Sequence, residues 1–242
     1  MKFLKKTNLD AVKEMATAFL YTDFDTSGPL APAIISHPFT ISAFVSVPGY
    51  KSGIINVLED EVGLAKWQEY IKSMIRVADS VEGIMMLVMK NYRICLFGYI
   101  LPYLSVEDMP SVLSSVWKNL EHVNDNGVMS QKKLLTLFKQ SVPSCLMSRQ
   151  ELSAFQKLPD TVTIYRGFTE EKNPNYQAAL SWTTSRNTAR WFALRFSNTG
   201  KVAKAVIAKE HIFAFFSPGS ENEVIVDPKF IEVVDVKNVR QR

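Results

Sequence analysis

The stretch LPDTVTIYRGF, residues 158–168, marks the point where the chain changes from helical to strand-like patterning. Leu158 and Pro159 are typical of a helix end, and the β-branched and aromatic residues from Thr161 onward predict a strand. Before this stretch, apolar residues recur at helical spacing. After it, short β-branched segments follow one another. The sequence therefore predicts an α+β protein, with helices first and a β-rich module last.

The segment from about residue 54 to residue 158 has helical periodicity. One apolar face is predicted from the three- and four-residue spacing of Trp67, Tyr70, Ile71, Met74, Ile75 and Ala78. A second, more apolar helix is predicted from Ile84 to Ile94. Further helix starts are expected at Ser105, Ser130 and Ser148. Ser148 and Glu151 also form the S-x-x-E pattern of a capping box.

The first fifty residues give no clear pattern, and only residues 29–50 are predicted to be extended chain broken by turns. Residues 29–50, PLAPAIISHPFTISAFVSVPGY, mix β-branched residues with four prolines. His37 lies in this stretch and is expected to be a packing residue, with a functional role as the alternative. A lone histidine beside a proline and a phenylalanine is more often a core or turn residue.

The β-rich module is predicted to contain six strands and one helix. The strands are expected in TVTIYRGF, ALSWTTS, KVAKAVIA, IFAFFS, ENEVIVDP and FIEVVDV. The helix is expected in RNTARWFALRF, where Ala189, Phe192 and Phe196 lie on one side. No glycine-rich linker separates the helical region from this module.

The composition is typical of a folded globular protein and does not identify a function. The 242 residues are 47% hydrophobic, which suits one large domain or two small ones. A net charge of +4 permits an anionic partner such as nucleic acid without requiring one. Cys95 and Cys145 lack a CxxC partner and are expected to be reduced thiols of a cytosolic protein. We expect no signal peptide and no membrane span, because no uncharged apolar run reaches about 18 residues.

Several common sites are excluded by spacing. The ten glycines never form a G-x-G-x-x-G or G-x-x-x-x-G-K pattern, so neither a Rossmann nor a P-loop phosphate site is expected. Three scattered histidines and two distant cysteines give no zinc-ligand spacing, so no metal is expected.

Three short strings remain as candidates for chemistry. In TIYRG, Arg166 occupies a strand, and its planar guanidinium suits a phosphate or a carboxylate. In LSWTTS, strand alternation places Ser181 and Thr183 on one face and Trp182 on the other. A structural salt bridge is the alternative for the arginine, and a helix N-cap region is the alternative for the hydroxyls.

The third string is SENEVIVDP, residues 220–228. In extended chain, residues i and i+2 share a face, so Glu221 and Glu223 would point together into one site. Val224 and Val226 would lie on the other face. Two such carboxylates raise each other's pKa, which suits an enzyme that stabilises a cation. A solvated turn at a strand start is the alternative.

Together, YRG, SWT and ENEVIVDP resemble the arginine–serine–glutamate class of mono-ADP-ribosyltransferases, which includes bacterial toxins and phage and prophage members. The resemblance covers roughly residues 150–236. It says little about residues 1–128, which the sequence patterning predicts to be a mostly helical N-terminal region of unknown role, and it implies a catalytic domain at residues 129–242. That domain would be an ADP-ribosyltransferase-type split β-sandwich, packed with the helical region as one unit. Trp182 and Thr183 depart from the family's Ser-Thr-Ser element, although Thr183 keeps a hydroxyl.

The resemblance also implies NAD as a co-substrate and a role for each residue. Glu223 would stabilise the ribose cation, and Arg166 would bind the NAD diphosphate. Ser181 would hold Glu223 or the ribose, with Thr183 supporting the same network. The remaining candidates for NAD contact are the aromatic residues Tyr165 and Trp182, for which packing is the alternative.

Glu221 would serve the acceptor, and by analogy it points to a protein arginine. An acceptor in RNA or DNA stays open, as does an inactive binding or inhibitor protein of the same fold. The resemblance implies a phage effector or toxin in the cytoplasm of a bacterial host. An antitoxin or a host target is then a possible partner, and no membrane is involved.

Overall fold

In the computed structural model the chain forms two compact units, residues 1–130 and residues 131–242. The described residues are 3–50, 53–119, 128–171, 174–217 and 219–241. Sequence patterning placed the boundary between residues 128 and 129, two residues before the observed one. The protein is a mixed α+β protein, and its two units have different architectures.

The described elements follow in chain order. In residues 1–130 the helices are α1 Leu9–Leu20, α2 Glu61–Val77, α3 Val81–Leu87, α4 Lys90–Ile100 and α5 Asp108–Asn119, and the strands are β1 Ile34–His37, β2 Thr40–Ser42, β3 Phe44–Ser46 and β4 Ile54–Asn56. In residues 131–242 the helices are α6 Gln131–Gln140, α7 Pro143–Leu146, α8 Arg149–Gln156 and α9 Arg186–Leu194, and the strands are β5 Thr161–Phe168, β6 Ser181–Thr183, β7 Thr199–Ala208, β8 Ile212–Phe216, β9 Glu223–Val226 and β10 Glu232–Arg240.

No helix is predicted from the sequence before about residue 54, but α1 covers Leu9–Leu20. The Asn8 side chain accepts a hydrogen bond from the Ala11 N–H and so caps the helix. Val12, Ala16 and Leu20 recur every four residues and are fully buried, which gives α1 its apolar face. Strands β1 to β3 lie within residues 29–50, where extended chain is predicted.

The single helix predicted from Ile84 to Ile94 is also wrong, because the chain leaves helical geometry at Val88 and Met89. Their ψ angles are 135° and 141°, which separates α3 from α4. The Met89 N–H donates to the Pro38 carbonyl at 2.8 Å instead of continuing a helix. Buried Arg93 donates through Nε to the Val88 carbonyl at 2.9 Å, which satisfies an acceptor at the break.

The other predicted helix starts agree with the structure. The Ser105 hydroxyl accepts from the Asp108 N–H at 3.0 Å at the start of α5. The Ser148–Glu151 capping box is present at the start of α8. Cys95 and Cys145 are free and half-buried, and burial raises the pKa of the Cys95 thiol. Among the described helices, none is both long enough and apolar enough to cross a membrane.

His37 is a core residue of the first unit, as the packing alternative predicts. Its side chain is 0% exposed and lies among aromatic rings, with centroids 4.6 Å from Phe24 and 5.6 Å from Trp67. Nδ1 accepts a hydrogen bond from the Phe39 N–H at 3.1 Å, which requires an unprotonated Nδ1. Burial lowers the His37 pKa to about 4.

This depressed pKa predicts a loss of stability in mild acid. Above a pH of about 6.5 His37 is neutral in both states. Below it the unfolded chain takes up a proton that the folded chain excludes, so the free energy of unfolding falls. Between about pH 7 and pH 5 the loss attributable to His37 is about 2 kcal/mol. Urea unfolding at both pH values measures it. His37→Gln and His37→Phe should both show a smaller pH dependence than wild type, and an unchanged dependence would contradict this explanation.

The second unit contains a six-stranded antiparallel sheet with the order β10-β7-β5-β6-β9-β8. All six strands predicted from the sequence are present. Strands β10, β7 and β5 pair along most of their length, and β6, β9 and β8 form a second group. The two groups join where Tyr165 of β5 pairs with Thr183 of β6. The sheet therefore has two three-stranded halves that meet at a short junction.

Each face of the sheet is covered by apolar packing. On one face, α9 lies directly against β5, and a Cβ at Gly167 would lie only 1.8 Å from the Ala189 carbonyl oxygen. Glycine is required there because any side chain would displace the α9 backbone. The other face carries a buried cluster of residues from both halves of the sheet. Its members include Val162, Ile164, Phe168, Trp182, Phe215, Val224 and Val226.

Candidate active site

Ser181 and Glu223 form a direct hydrogen bond near the junction of the two half-sheets. The Ser181 hydroxyl donates to Glu223 Oε1 at 2.5 Å, across 42 residues of sequence. Strand pairing creates this contact, because Ser181 lies opposite Ile225 and Thr183 lies opposite Glu223. Ser181 and Glu223 are therefore diagonal neighbours on one face of the β6–β9 pair. Both side chains are half-buried, so the carboxylate is oriented but remains accessible.

Arg166 adds a cation to the same place from β5. Its Nη1 donates to the Ser181 backbone carbonyl, which lies 15 residues away in sequence. Burial lowers the Arg166 pKa to about 10, and the negative charge of Glu223 opposes that shift. The guanidinium is therefore a cation at neutral pH. Among the described residues, Arg166 Nε has no hydrogen-bond partner, so the guanidinium retains donor capacity for an anion.

Thr183 contacts the loop before β9 and the start of α9. Its side chain is buried, and its hydroxyl donates to the Glu221 backbone carbonyl at 2.6 Å. The same hydroxyl accepts from the Ser185 N–H at 3.0 Å. Thr183 therefore connects β6 to the loop before β9 and to the start of α9. These two contacts occupy the hydroxyl and leave little of it for a bound molecule.

The structure places Trp182 and Tyr165 in packing positions. Trp182 is 2% exposed, and its indole N–H donates to the Ala179 carbonyl at 3.1 Å. Tyr165 packs against the apolar cluster that contains Ala189 and Ala193 of α9. Packing therefore explains both aromatic residues, and neither ring is part of the Arg166–Ser181–Glu223 cluster.

The prediction that Glu221 and Glu223 share a face of extended chain is wrong. Asn222, between them, has a φ of 50°, in the left-handed region, and β9 begins only at Glu223. The Asn222 side chain accepts from the Gly219 N–H at 2.9 Å, and its carbonyl accepts from the Thr184 N–H at 3.0 Å. Alternation does not apply across such a residue. Glu221 is an exposed loop residue, whereas Glu223 is half-buried in the strand.

Sequence patterning missed a second role for Glu151. This side chain is 6% exposed and completes the α8 capping box by accepting from the Ser148 N–H at 2.8 Å. Its other oxygen accepts from the Ser217 N–H at 3.2 Å, across 66 residues. Ser217 has a φ of 49° and begins the loop that leads to Glu221. Glu151 therefore fixes one end of this loop, and the local capping pattern gives no signal of that contact.

The site is built from side-chain and backbone groups of three strands, β5, β6 and β9, and of the loop before β9. Among the described residues, no group of three or more histidine, cysteine, aspartate and glutamate side chains could hold a metal ion. The chain matches no protein-family model, no curated protein and no solved structure.

Proposed function

We propose that this protein is an NAD-dependent mono-ADP-ribosyltransferase that transfers ADP-ribose to a macromolecular acceptor. The observation that carries the proposal is the convergence of Arg166, Ser181 and Glu223. These residues come from three strands and lie in hydrogen-bond contact in the order Arg166–Ser181–Glu223. The resemblance to the arginine–serine–glutamate class rests on the same residues, found there from sequence alone.

The cluster suits cleavage of the bond between nicotinamide and ribose. That bond breaks with its electron pair leaving on nicotinamide, so positive charge develops on the ribose. The Glu223 carboxylate would stabilise this charge, and it is held in place before reaction by the Ser181 hydroxyl. The acceptor atom would then bond to the ribose carbon and release a proton.

Arg166 fits the diphosphate part of NAD. A guanidinium binds phosphate oxygens through parallel N–H donors, and Arg166 uses Nη1 for Ser181 while Nε lacks a partner among the described residues. Because Nη1 also fixes the β6 backbone, binding at Arg166 and the position of Ser181 are coupled. Arg166 therefore fits the NAD diphosphate by its positive charge and by its Nε donor, which lacks a partner among the described residues.

The sheet is compatible with the proposed ADP-ribosyltransferase-type split β-sandwich. Its two three-stranded halves meet at the Tyr165–Thr183 pair. Arg166 lies on one side of this junction, and Ser181 and Glu223 lie on the other. A long dinucleotide that lies along this junction could contact residues of both half-sheets.

Glu221 supports an arginine side chain as the acceptor. It is exposed on the loop before β9, where an incoming protein can reach it, and Thr183 fixes its backbone carbonyl. A carboxylate there would orient a guanidinium and accept its proton. Under this proposal the protein is a phage effector or bacterial toxin that acts in the host cytoplasm.

Glu221→Gln should separate transfer from hydrolysis. The change removes the charge that orients the acceptor and leaves Glu223 in place, so transfer should fall by about tenfold or more while nicotinamide release largely remains. A paired assay measures free nicotinamide and label retained on macromolecule. Glu210→Gln, at another exposed glutamate, is the matched control and should leave both unchanged. Equal loss of both activities in Glu221→Gln would contradict the division of roles.

Labelling of a bacterial lysate tests the proposed function. The purified protein is incubated with lysate and with NAD labelled in its adenosine half. Macromolecules are then separated and treated with protease or nuclease. Label released by protease supports a protein acceptor, and label released by nuclease supports a nucleic-acid acceptor. Absence of label in both fractions, together with no nicotinamide release, would support the inactive binding or inhibitor protein instead.

A further inference from the structure

The outward face of α9 leaves aromatic rings exposed. Ala189 and Ala193 are buried on its inner face. On the outer side Trp191 is 54% exposed, and Phe196, just after the helix, is 70% exposed. Exposed aromatic rings that lie close together form an apolar patch of the kind that marks an interaction site.

Arginines accompany these rings. The Arg195 guanidinium carbon lies 5.1 Å from the Trp191 ring centroid and 4.9 Å from the Phe196 ring centroid. Arg190 and Trp191 line the same groove, and Arg186 is exposed at the start of the helix. The name α9 surface is used below for these five residues: Arg186, Arg190, Trp191, Arg195 and Phe196.

The α9 surface has no acidic counterpart. The sequence contains no aspartate or glutamate between residues 172 and 209. Among the described residues, no carboxylate forms an ion pair with Arg186, Arg190 or Arg195. A surface with three cations and exposed rings, and without local neutralisation, is complementary to a partner that carries both negative charge and planar groups.

We propose that the α9 surface binds single-stranded nucleic acid. Unpaired bases would stack on Trp191 and Phe196, and the arginines would contact the phosphates. A duplex fits less well, because its bases are already stacked and its edges lie deep in grooves. A membrane also fits less well, because inserting either ring would carry the Arg195 guanidinium toward the acyl chains. This inference goes beyond the proposed function and does not depend on catalysis.

Fluorescence anisotropy of the full chain without NAD tests the proposal. The probes are labelled single strands of DNA and RNA of about 15 nucleotides, a length that suits sites of this kind. Binding is expected and should weaken as salt is raised, because phosphate contacts release counterions. The double variant Trp191→Ala/Arg195→Ala should bind about tenfold more weakly or worse. Both side chains are exposed, so the variant should keep the wild-type melting temperature.

A matched control removes one ring and one arginine elsewhere. Tyr21 and Arg76 are both exposed, and Tyr21→Ala/Arg76→Ala should bind like wild type. If the first double variant does not fold, Arg195→Gln alone should still weaken binding and its salt dependence. The proposal is overturned by absence of single-strand binding, by equal binding of the variant, by tighter binding of duplex, or by binding to phosphatidylserine vesicles in preference to the oligonucleotides.

Discussion

Glu223→Gln is expected to abolish both NAD hydrolysis and ADP-ribose transfer. Glutamine keeps the shape of the side chain and can still accept from Ser181, but it carries no charge. Every reaction of this site passes through the same ribose cation, so both activities depend on the carboxylate. Loss of one fixed electrostatic contact to a transition state costs about 3 kcal/mol or more, which is roughly a hundredfold in rate. Nicotinamide release and retained label, measured on one sample, report the two activities.

The control for Glu223→Gln is the same substitution at Glu232. Glu232 is exposed at the start of β10, so Glu232→Gln changes the net charge equally without entering the site. It should retain wild-type rates. The reaction rates of Ser181→Ala should lie between those of Glu223→Gln and Glu232→Gln. The Glu223 carboxylate stays charged in this variant but loses the hydroxyl that donates to it at 2.5 Å. Retention of either activity in Glu223→Gln would exclude this residue as the group that stabilises the cation.

Arg166→Ala is expected to weaken NAD binding by about tenfold to a hundredfold. A charged hydrogen-bonding group typically contributes about 1.5–3 kcal/mol, and Arg166 provides both the charge and the planar donor set. Arg166→Lys keeps the charge but loses the planar guanidinium that binds two phosphate oxygens at once. Its affinity for NAD should therefore be intermediate. Titration calorimetry on each folded variant gives the Kd.

Arg166 also holds β6 through Ser181, so binding loss must be distinguished from unfolding. Thermal melting of each variant shows whether the second unit is intact. Arg149→Ala removes an exposed arginine at the first position of α8 and should affect neither measurement. Undiminished NAD affinity in a folded Arg166→Ala variant would show that the diphosphate binds elsewhere.

Local patterning predicted the second unit better than the first. The β-rich module has short strands with clear alternation, and the capping box at Ser148 is a contact within one turn. In the first unit, no helix was predicted at α1, although Val12, Ala16 and Leu20 recur at four-residue spacing. The break at Val88 was missed because it depends on Pro38, whose carbonyl takes the Met89 N–H. A hydrogen-bond partner about fifty residues away in sequence cannot be detected from local hydrophobic periodicity.

For the candidate site too, some features were predicted from the sequence and others depend on contacts that only the fold creates. Arg166, Ser181 and Glu223 were identified from sequence, and strand pairing brings them together. The prediction that Glu221 and Glu223 share a face was wrong. It assumed extended backbone through Asn222, which adopts a φ of 50°. Asparagine tolerates that conformation, but its type alone does not require it. The contact of Glu151 with Ser217 joins two segments far apart in sequence and could come only from the fold.

The most direct test of the central claim is a mass balance on the purified full chain with NAD as the only substrate. The proposed reaction releases one nicotinamide for each ADP-ribose that appears, whether the ADP-ribose is free or attached to the protein. Chromatography quantifies the two products, and wild type and Glu223→Gln are run side by side. We predict equal amounts of both products from wild type and at least about a hundredfold less from Glu223→Gln. No nicotinamide from wild type, or the same amount from both proteins, would contradict the assignment of Arg166, Ser181 and Glu223 as a site that cleaves NAD.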